Sequence, residues 1–538
     1  MFGRVSPRAR GVLLAGVALC LLPFTAEAAP APAPAPAPAA LAPDGDKVTI
    51  TGSITAGDPL QTGRLTRDGQ MHGCEAPTSM PLIENATPVR RDAHVLQNDR
   101  GTARCIVVEA DLTQCQGNQT MVIAYSAYNP ASPANNVIGA TGFSTIGQET
   151  FGFRVPANSP YTLVVHSVDA GQDCPLYTLE ATSTPLAAVV TQGNAANGFA
   201  LATIVNTFRS EVGPPADRRE ISWEEVPEAL ADPESLPADY YNTVQPRGLV
   251  FTGPADLRIS SDGSGSTASE FGDHDGDNPA QYQPFSFFRL MSPVGDEVTD
   301  FAFRVAGTGT AAPTSAFGAV LVNPGTAGFL LPRDAVGDPL GIYVPPANAD
   351  GLGFYGLRFP TPQIYSMSLA GDFVKGVNGT VFDDFVYADP GFRLSLSVSG
   401  PGRVSAPGLA CPGDCTETFG PAPVSLKAEP TGLTGVRWSG ACAGTVGKTC
   451  VLTLSEAKTA AAATFVSCTT QQAKVGKLKK LVKKRKAGVR KATRRLADAD
   501  RPGEVVDARA DLVKAHKALR KAKKKLRKAK VALTVCLG

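Results

Sequence analysis

Ten of the eleven cysteines fall into three groups with an even number in each, and this grouping limits how the chain can fold. Even numbers within separate segments favour disulfides that close inside each segment, as in proteins of an oxidising compartment. In each group of four cysteines, three pairings are open. Zinc is an alternative, but the two closely spaced pairs have poor zinc-site spacing and no nearby histidine. The predicted disulfides are Cys74–Cys105, Cys115–Cys174, Cys411–Cys415, Cys442–Cys450 and Cys468–Cys536.

The N-terminus has the pattern of a secretory signal peptide. Three arginines lie within the first ten residues, and the apolar run 11–24 that follows is short for a membrane span. Small residues end a cleavage pattern at Ala28, so 1–28 is the predicted signal peptide. A lipoprotein alternative exists at Cys20, although Leu19 is bulky for the position before a lipidated cysteine. We therefore expect a secreted, extracellular protein, free or associated with the cell envelope, without a transmembrane segment in the mature chain.

The first folded segment, 44–184, is predicted to be all β. Before it, 29–43 nearly alternates alanine and proline, which favours an extended polyproline II linker. Short β-rich runs bounded by Asn, Pro and Gly then predict a β-sandwich with four cysteines. The ordered pattern is Cys105…Cys115…Tyr125-Ser126-x-Tyr128-Asn129-Pro130…Phe151-x-Phe153-x-Val155-Pro156-Ala157…Cys174-Pro175-x-Tyr177-x-Leu179. This pattern resembles the pre-peptidase C-terminal-like jelly-roll accessory domains of bacterial secreted proteins. The resemblance implies a β-sandwich with a passenger or binding role.

A second β-rich block, 198–390, contains no cysteine and follows an uncharged stretch, 185–197, that reads as a linker. About nine short β runs between turns predict a sandwich or jelly roll. The block includes Arg219-Glu220-Ile221-x-Trp223, Phe285-Ser286, Arg289-Leu290-x-Ser292-Pro293-Val294-Gly295, Phe317-Gly318-Ala319-Val320 and Asp383-Asp384-Phe385-Val386-Tyr387. On these residues it resembles an uncharacterised extracellular β domain of secreted bacterial proteins.

A compact third segment, 391–467, combines two cysteine pairs with short alternating runs. Its distinctive core is Trp438-Ser439-Gly440-Ala441-Cys442. On this core it resembles a divergent internalin-type B-repeat of bacterial surface proteins, which implies a small β-grasp-like spacer. Trp438 is expected in the core, since so small a domain needs its largest side chain buried; stacking on a sugar is the alternative.

The C-terminal segment, 468–538, predicts an antiparallel helical hairpin. Pro502 lies midway between Cys468 and Cys536 in a turn-forming stretch, and apolar residues repeat every seven positions on both sides of it. Folding at Pro502 pairs residues whose numbers sum to 1004. The expected pairs, large against small, are Val475 on Ala529, Val482 on Ala522, Val489 on Ala515 and Leu496 on Ala508. A single long helix and a disordered basic tail are the alternatives.

Charge is distributed unevenly along the chain. The segment 468–538 carries 24 Lys and Arg against 5 Asp and Glu, whereas the remainder has 27 basic and 44 acidic residues. A net charge of +19 in the hairpin predicts weak binding to polyanions such as anionic envelope polymers, glycans, lipids or nucleic acid, without specific recognition of nucleic acid. The alternative is a solvated coiled coil whose lysines only confer solubility.

Few residues indicate chemistry. Asp273, Asp275 and Asp277 alternate on a short loop and can offer oxygen ligands to calcium, although a solvated acidic turn is the simpler interpretation. Asp383 and Asp384 can likewise contact calcium or a sugar, although capping a strand end is their simpler role. There is no H-E-x-x-H or G-x-S-x-G pattern, and every mature cysteine has an expected partner.

Two functional hypotheses follow from these observations. The first is a secreted or cell-surface protein without catalytic residues or a resident cofactor, which acts in binding, adhesion or envelope structure. The second is a carbohydrate-binding module or carbohydrate-active enzyme centred on 198–390, because paired carboxylates for glycoside cleavage cannot be recognised from sequence alone.

Overall fold

The computed structural model describes backbone at 39–40 and residues 47–75, 83–115, 120–142, 147–186, 189–253, 256–294, 298–325, 328–348, 351–370, 381–455 and 458–537. The expected signal peptide and most of the Ala-Pro segment lie outside these residues. The described fold is mainly β, with several separate sheets and a C-terminal pair of helices. None of the helices in the described ranges is both long enough and apolar enough to cross a membrane.

The first sandwich contains a six-stranded and a four-stranded sheet, together with one small strand pair. The larger sheet has the order β1 (Ala39–Ala40), β6 (Val89–Asn98), β11 (Ser159–Ser167), β8 (Thr120–Tyr125) and β9 (Val137–Ala140), with β3 (Leu60–Gln61) also on β6. The smaller sheet has the order β10 (Gln148–Val155), β7 (Arg104–Asp111), β12 (Cys174–Pro185) and β2 (Lys47–Ile54), and the small pair is β4 (Arg64–Leu65) with β5 (Ile83–Asn85). Alternating side chains such as Ile106, Val108, Phe151 and Phe153 form the core.

The central sandwich also has two sheets, and it begins earlier than the sequence indicates. Its seven-stranded sheet has the order β13 (Val189–Ala195), β21 (Leu352–Arg358), β19 (Ala316–Val322), β23 (Val381–Ala388), β17 (Met291–Val294) and β16 (Asp256–Ile259), with β14 (Arg218–Ile221) also on β23. Its four-stranded sheet has the order β15 (Leu249–Phe251), β18 (Val298–Phe303), β22 (Ser366–Ala370) and β20 (Phe329–Arg333). Its helices are α1 (Gly198–Val212), α2 (Tyr240–Thr243) and α3 (Asn278–Gln281), with 3₁₀ turns at Pro215–Asp217 and Glu228–Leu230.

The expected linker 185–197 is therefore corrected. Seven of its residues form β13, which pairs along its whole length with β21. The segment looks like a linker because it is uncharged and consists mostly of Ala, Val, Thr, Asn and Gly. An edge strand needs only one paired side, and its other side faces solvent, so this composition is compatible with a strand.

The third β unit, which spans β24 to β31, consists of two four-stranded sheets around its own core. One sheet has the order β27 (Thr416–Phe419), β24 (Phe392–Ser399), β31 (Lys458–Ser467) and β29 (Thr434–Gly440). The other has the order β26 (Leu409–Cys411), β25 (Gly402–Ala406), β28 (Val424–Pro430) and β30 (Thr449–Leu452). Its described residues contain no helix. Trp438 is buried, as expected, and its Nε1 donates to the carbonyl oxygen of Gly447 at 2.9 Å.

The hairpin consists of α4 (Thr469–Ala497) and α5 (Pro502–Leu537), which pack against each other. Four residues expected on the seam, Val475, Ala508, Ala522 and Ala529, are buried, and Ala492 is buried as well. The other expected seam residues, Val482, Val489, Leu496 and Ala515, are half-buried. A disulfide joins Cys468 to Cys536, with 5.9 Å between their Cα atoms. Because these two residue numbers sum to 1004, the disulfide agrees with the expected register.

The other four disulfides have the pairings expected from the sequence. They are Cys74–Cys105, Cys115–Cys174, Cys411–Cys415 and Cys442–Cys450. Cys115–Cys174 lies within the first sandwich. Cys411–Cys415 and Cys442–Cys450 lie within the third β unit. Cys74–Cys105 lies where the first sandwich meets the central one, since both cysteines belong to the core of the central sandwich.

Candidate functional site

Strand β23 carries a bulge at Asp383 and Asp384. Its register against β19 shifts between Phe382 and Phe385, so the two aspartates lie opposite a single residue. A bulge interrupts the strict alternation of side chains along a strand. Phe382 and Phe385, three positions apart, consequently join the same core. Both aspartates lie within the strand, so neither caps a strand end as the sequence analysis expected.

Asp383 fixes the start of the loop that precedes β17. Its Oδ2 accepts hydrogen bonds from the backbone N–H groups of Phe285 and Ser286, and its Oδ1 accepts one from the Ser286 hydroxyl at 2.7 Å. The indole N–H of Trp223 donates to the backbone carbonyl of the same aspartate. Asp383 is completely buried. Its carboxyl group therefore holds this loop and does not reach solvent.

Asp384 connects the bulge to α1. Its Oδ2 lies 3.2 Å from Nη2 of Arg209 on that helix, and Arg209 also contacts Glu220 at 2.8 Å. Burial raises the pKa of Asp383 well above its usual range, and the neighbouring Asp384 raises it further. Burial also raises the pKa of Asp384, while Arg209 partly opposes this. Two carboxyl groups so close in the interior favour a shared proton over two charges.

A second carboxylate fixes the end of the loop. Oε1 of Glu224 accepts hydrogen bonds from the backbone N–H groups of Phe288 and Arg289, both at 2.8 Å. The Arg289 side chain is buried and donates to Glu228 at 2.7 Å and to Asp262 at 2.9 Å. Residues 285–289, hereafter the aromatic loop, are thus held at both ends by buried or partly buried carboxyl groups.

The aromatic loop displays large apolar side chains to solvent. Phe287 is 81% exposed and Phe288 is 55% exposed, and their ring centroids lie 6.5 Å apart. Helix α1 begins beside the loop, because a Cβ at Gly198 would lie 2.9 Å from the carbonyl oxygen of Phe285. The next residue, Phe199, is 95% exposed. Three exposed phenylalanines therefore come from two adjoining segments.

Sequence reasoning matched this segment only by resemblance and did not single out its phenylalanines. The available signal was three phenylalanines within four residues, Phe285-Ser286-Phe287-Phe288. In a half-buried strand, successive side chains point alternately to the core and to solvent. Two consecutive phenylalanines would therefore place one ring on the solvent side. Nothing in the sequence indicates that two distant carboxylates hold its backbone.

The aspartates proposed as calcium ligands are only partly brought together. Asp273 lies with Asp232 and His274 in a group whose ligand atoms are all within 4.8 Å of one another. Asp275 instead accepts the N–H of Asp277 at 3.0 Å, and neither of these two joins the group. Asp232 already has partners, because His274 Nε2 lies 3.0 Å from it and an arginine lies 3.4 Å away. Calcium binding at this loop stays a prediction.

A polar cleft of about 440 Å³ lies on the outer face of the smaller sheet of the first sandwich. Glu109 and Glu180 occupy opposite positions on neighbouring strands of its floor. Arg333 of the central sandwich pairs with Glu109 at 2.6 Å, and Lys47 pairs with Glu180 at 2.7 Å. These contacts neutralise two carboxylates that would otherwise repel across the sheet. The cleft therefore has a structural explanation.

Comparisons with known proteins identify no relative for this chain. No protein-family model and no curated protein matches it. Similar solved structures include a Paenibacillus xanthan lyase, which is 9% identical, covers 62% of this chain and 26% of its own, and has a TM-score of 0.16.

Two further structures are as distant. A Paenibacillus sp. cycloisomaltooligosaccharide glucanotransferase is 8% identical over 60% of this chain and 45% of its own, with a TM-score of 0.14. Bacteroides uniformis beta-glucuronidase 2 is 8% identical over 66% of this chain and 36% of its own, also with a TM-score of 0.14. The chain spans less than half the length of each of the three, and TM-scores this low carry no argument.

Proposed function

We propose that this chain is a secreted, non-catalytic binding protein that holds a glycan through the aromatic loop of its central sandwich. The observation that carries the proposal is the display of Phe287 and Phe288 on a loop fixed at both ends. Five disulfides support a position outside the cell or at its envelope, because disulfides persist in oxidising compartments.

The two exposed phenylalanine rings have the surface chemistry needed to pack against a sugar ring. A phenylalanine ring presents a flat apolar face, which suits the C–H face of a sugar ring. Leaving two such rings in water forgoes roughly 1.5 to 3 kcal/mol each relative to burial, so their display favours a binding role. The fixed backbone lowers the entropy lost on binding. Glu224, which contacts the loop, supplies a carboxylate that can also accept a hydrogen bond from a sugar hydroxyl.

The other β units fit accessory roles in this proposal. The first sandwich has the passenger or binding role implied by its resemblance to pre-peptidase C-terminal-like domains. The third β unit serves as the spacer implied by its resemblance to a B-repeat, between the central sandwich and the hairpin. A carbohydrate-active enzyme is the alternative, but the complete burial of Asp383 favours binding over cleavage by this carboxylate.

Retention on polysaccharides tests the glycan contact. The full chain is incubated with insoluble cellulose, xylan and chitin in about 0.5 M NaCl, which shortens the reach of charge interactions and so suppresses binding by the basic hairpin. We expect retention on at least one polymer, without release of reducing sugar. The double variant Phe287→Ser, Phe288→Ser should bind about tenfold more weakly or worse, since a buried aromatic contact contributes about 1 kcal/mol or more.

The matched control is Val446→Ser, which removes an 88% exposed apolar side chain from the third β unit. It should bind like the unchanged protein. Both variants alter exposed residues only, so their thermal midpoints should match that of the parent. Equal binding by the double variant, or no retention on any of the three polymers, contradicts the glycan contact. Release of reducing sugar contradicts the non-catalytic assignment.

A further inference from the structure

The hairpin separates its charges along its length. All five of its acidic residues lie between positions 498 and 511, around the turn, hereafter the tip. The segments 474–491 and 514–530 contain twenty Lys and Arg and no Asp or Glu. The sum of 1004 sets 474 opposite 530 and 491 opposite 513, so the two basic segments lie side by side. Together they are hereafter called the shaft.

Every one of the twenty basic residues in the shaft is exposed. The ion pairs described within the hairpin, Arg495 with Asp511 and Arg501 with Glu504, both involve acidic residues of the tip. Buried alanines such as Ala522 and Ala529 form the seam. Small side chains on the seam let the two helices approach closely. The basic side chains of both segments therefore lie close together on the surface of the hairpin.

The shaft has the charge density of a strong polyelectrolyte. Eighteen residues at about 1.5 Å each give a length of about 27 Å for twenty positive charges. Duplex DNA, with one charge per about 1.7 Å, carries roughly 16 negative charges over that length. Such a rod holds a dense layer of counter-ions, and their release favours binding of an oppositely charged polymer. The packed seam and the Cys468–Cys536 disulfide hold the two helices together against the repulsion between their positive charges.

We propose that the shaft is a docking surface for a linear anionic polysaccharide that lies lengthwise along both helices. Charge complementarity with an extended polyanion is the basis for this partner. Sixteen of the twenty charges are lysines, which act as point charges and do not require the paired geometry that arginine reads. The shaft has no Phe, Tyr or Trp, so it lacks the stacking platform used by single-stranded nucleic acid binders. The surface is independent of the aromatic loop.

Binding of the full chain to alginate, a linear polyuronate, tests this surface. We expect saturable binding at about 0.05 M NaCl that weakens steeply towards about 0.5 M, as counter-ion release requires. A shaft variant carries Lys479→Gln, Lys483→Gln, Lys524→Gln and Lys528→Gln. Glutamine keeps the helix propensity of lysine. Its affinity at low salt should fall about tenfold, because four exposed charge contacts contribute a few tenths of a kcal/mol each.

The matched control removes the same number of charges at the tip or directly before it, outside the shaft, with Arg494→Gln, Arg495→Gln, Arg501→Gln and Arg509→Gln. Its affinity should stay within about twofold of the parent, a difference of roughly 0.4 kcal/mol. Equal weakening by both variants means that net charge alone attracts the polymer, and this overturns a localised surface. Absence of binding at low salt also overturns it. A DNA duplex that displaces alginate at a lower concentration of charge overturns the assignment to a polysaccharide.

Discussion

Glu149 and His166 are buried titratable side chains of the first sandwich. Their environments shift their pKa values in opposite directions. Burial raises the pKa of Glu149 to about 7, although Arg67, 3.2 Å away, opposes this. Burial lowers the pKa of His166 to about 4, while its contact with the carbonyl oxygen of Ser167 opposes the shift. Both groups are therefore held in the neutral form more strongly in the fold than in the unfolded chain.

The first prediction concerns Glu149→Gln. Because the folded pKa of Glu149 exceeds the unfolded one, its stabilising contribution is complete below about pH 4.5 and is lost as pH rises through about 7. Relative to the variant, the parent protein should lose about 3 kcal/mol of unfolding free energy across this range. Chemical denaturation of both proteins between about pH 4 and pH 8 measures the difference.

His166→Gln supplies a comparison of opposite sign. A depressed histidine pKa gives stability that is present above about 6.5 and lost as pH falls through about 4. Relative to this variant, the parent protein should therefore gain stability as pH rises. A flat difference for Glu149→Gln across the whole range would show that its carboxyl group is not desolvated as described.

The burial of Glu149 is predictable from the alternation of side chains along its strand. In β10, Glu149 shares its face with Phe151, Phe153 and Val155, so a strand pattern places it in the core. The burial of Asp383 was not predictable in this way, because it depends on a bulge. A bulge is defined against the partner strand, and that strand is about sixty residues away in the sequence.

At the scale of elements, the hairpin was the most predictable part of the molecule. Its heptads run through two helices of 29 and 36 residues and do not depend on other segments, so one local pattern determines both helices and their register. Strand β13 shows the opposite case. Its sequence, Val189–Ala195, has no strong alternation, and its strand conformation depends on pairing with β21, about 160 residues later.

The hairpin register can be checked by engineered cysteines. The sum of 1004 places position 482 opposite 522, and the native Cys468–Cys536 disulfide fixes the base of the hairpin in the same register. The double variant Val482→Cys, Ala522→Cys should oxidise to an additional disulfide, detected by peptide mapping without reduction. The pair 482 with 515 should stay reduced, because seven residues displace it by about 10 Å along the axis. The reverse pattern would contradict the register.

At the scale of the whole molecule, the first and central sandwiches share a hydrophobic core. Val107 and the Cys74–Cys105 disulfide belong to the same cluster as Ile342. The N–H of Cys74 donates to the carbonyl of Ile342 at 2.8 Å, and Arg333 pairs with a glutamate of the first sandwich. The β-rich character of both segments was predictable from composition. Their joint core was not, because it links residues more than 200 positions apart through a loop with no regular pattern.

Gly152 is a position at which this joint core leaves no room for a side chain. A Cβ there would lie 2.3 Å from Cγ2 of Ile342 and 3.5 Å from the nitrogen of Cys74. Gly152→Val should therefore separate the sandwiches at their contact, at a cost of roughly 1 to 3 kcal/mol for overpacking. In calorimetry, we expect the parent sandwiches to unfold in one shared transition and the variant to show two.

The matched control is Gly101→Val, in the same sandwich, where a Cβ meets nothing within 4 Å. Its transition should remain single and its stability should change by less than about 0.5 kcal/mol. Small-angle scattering distinguishes loss of the contact from general unfolding, since only a molecule with separated but folded sandwiches gains radius while keeping its β content. If Gly152→Val unfolds in one transition with an unchanged radius, the two sandwiches do not depend on this contact to behave as one body.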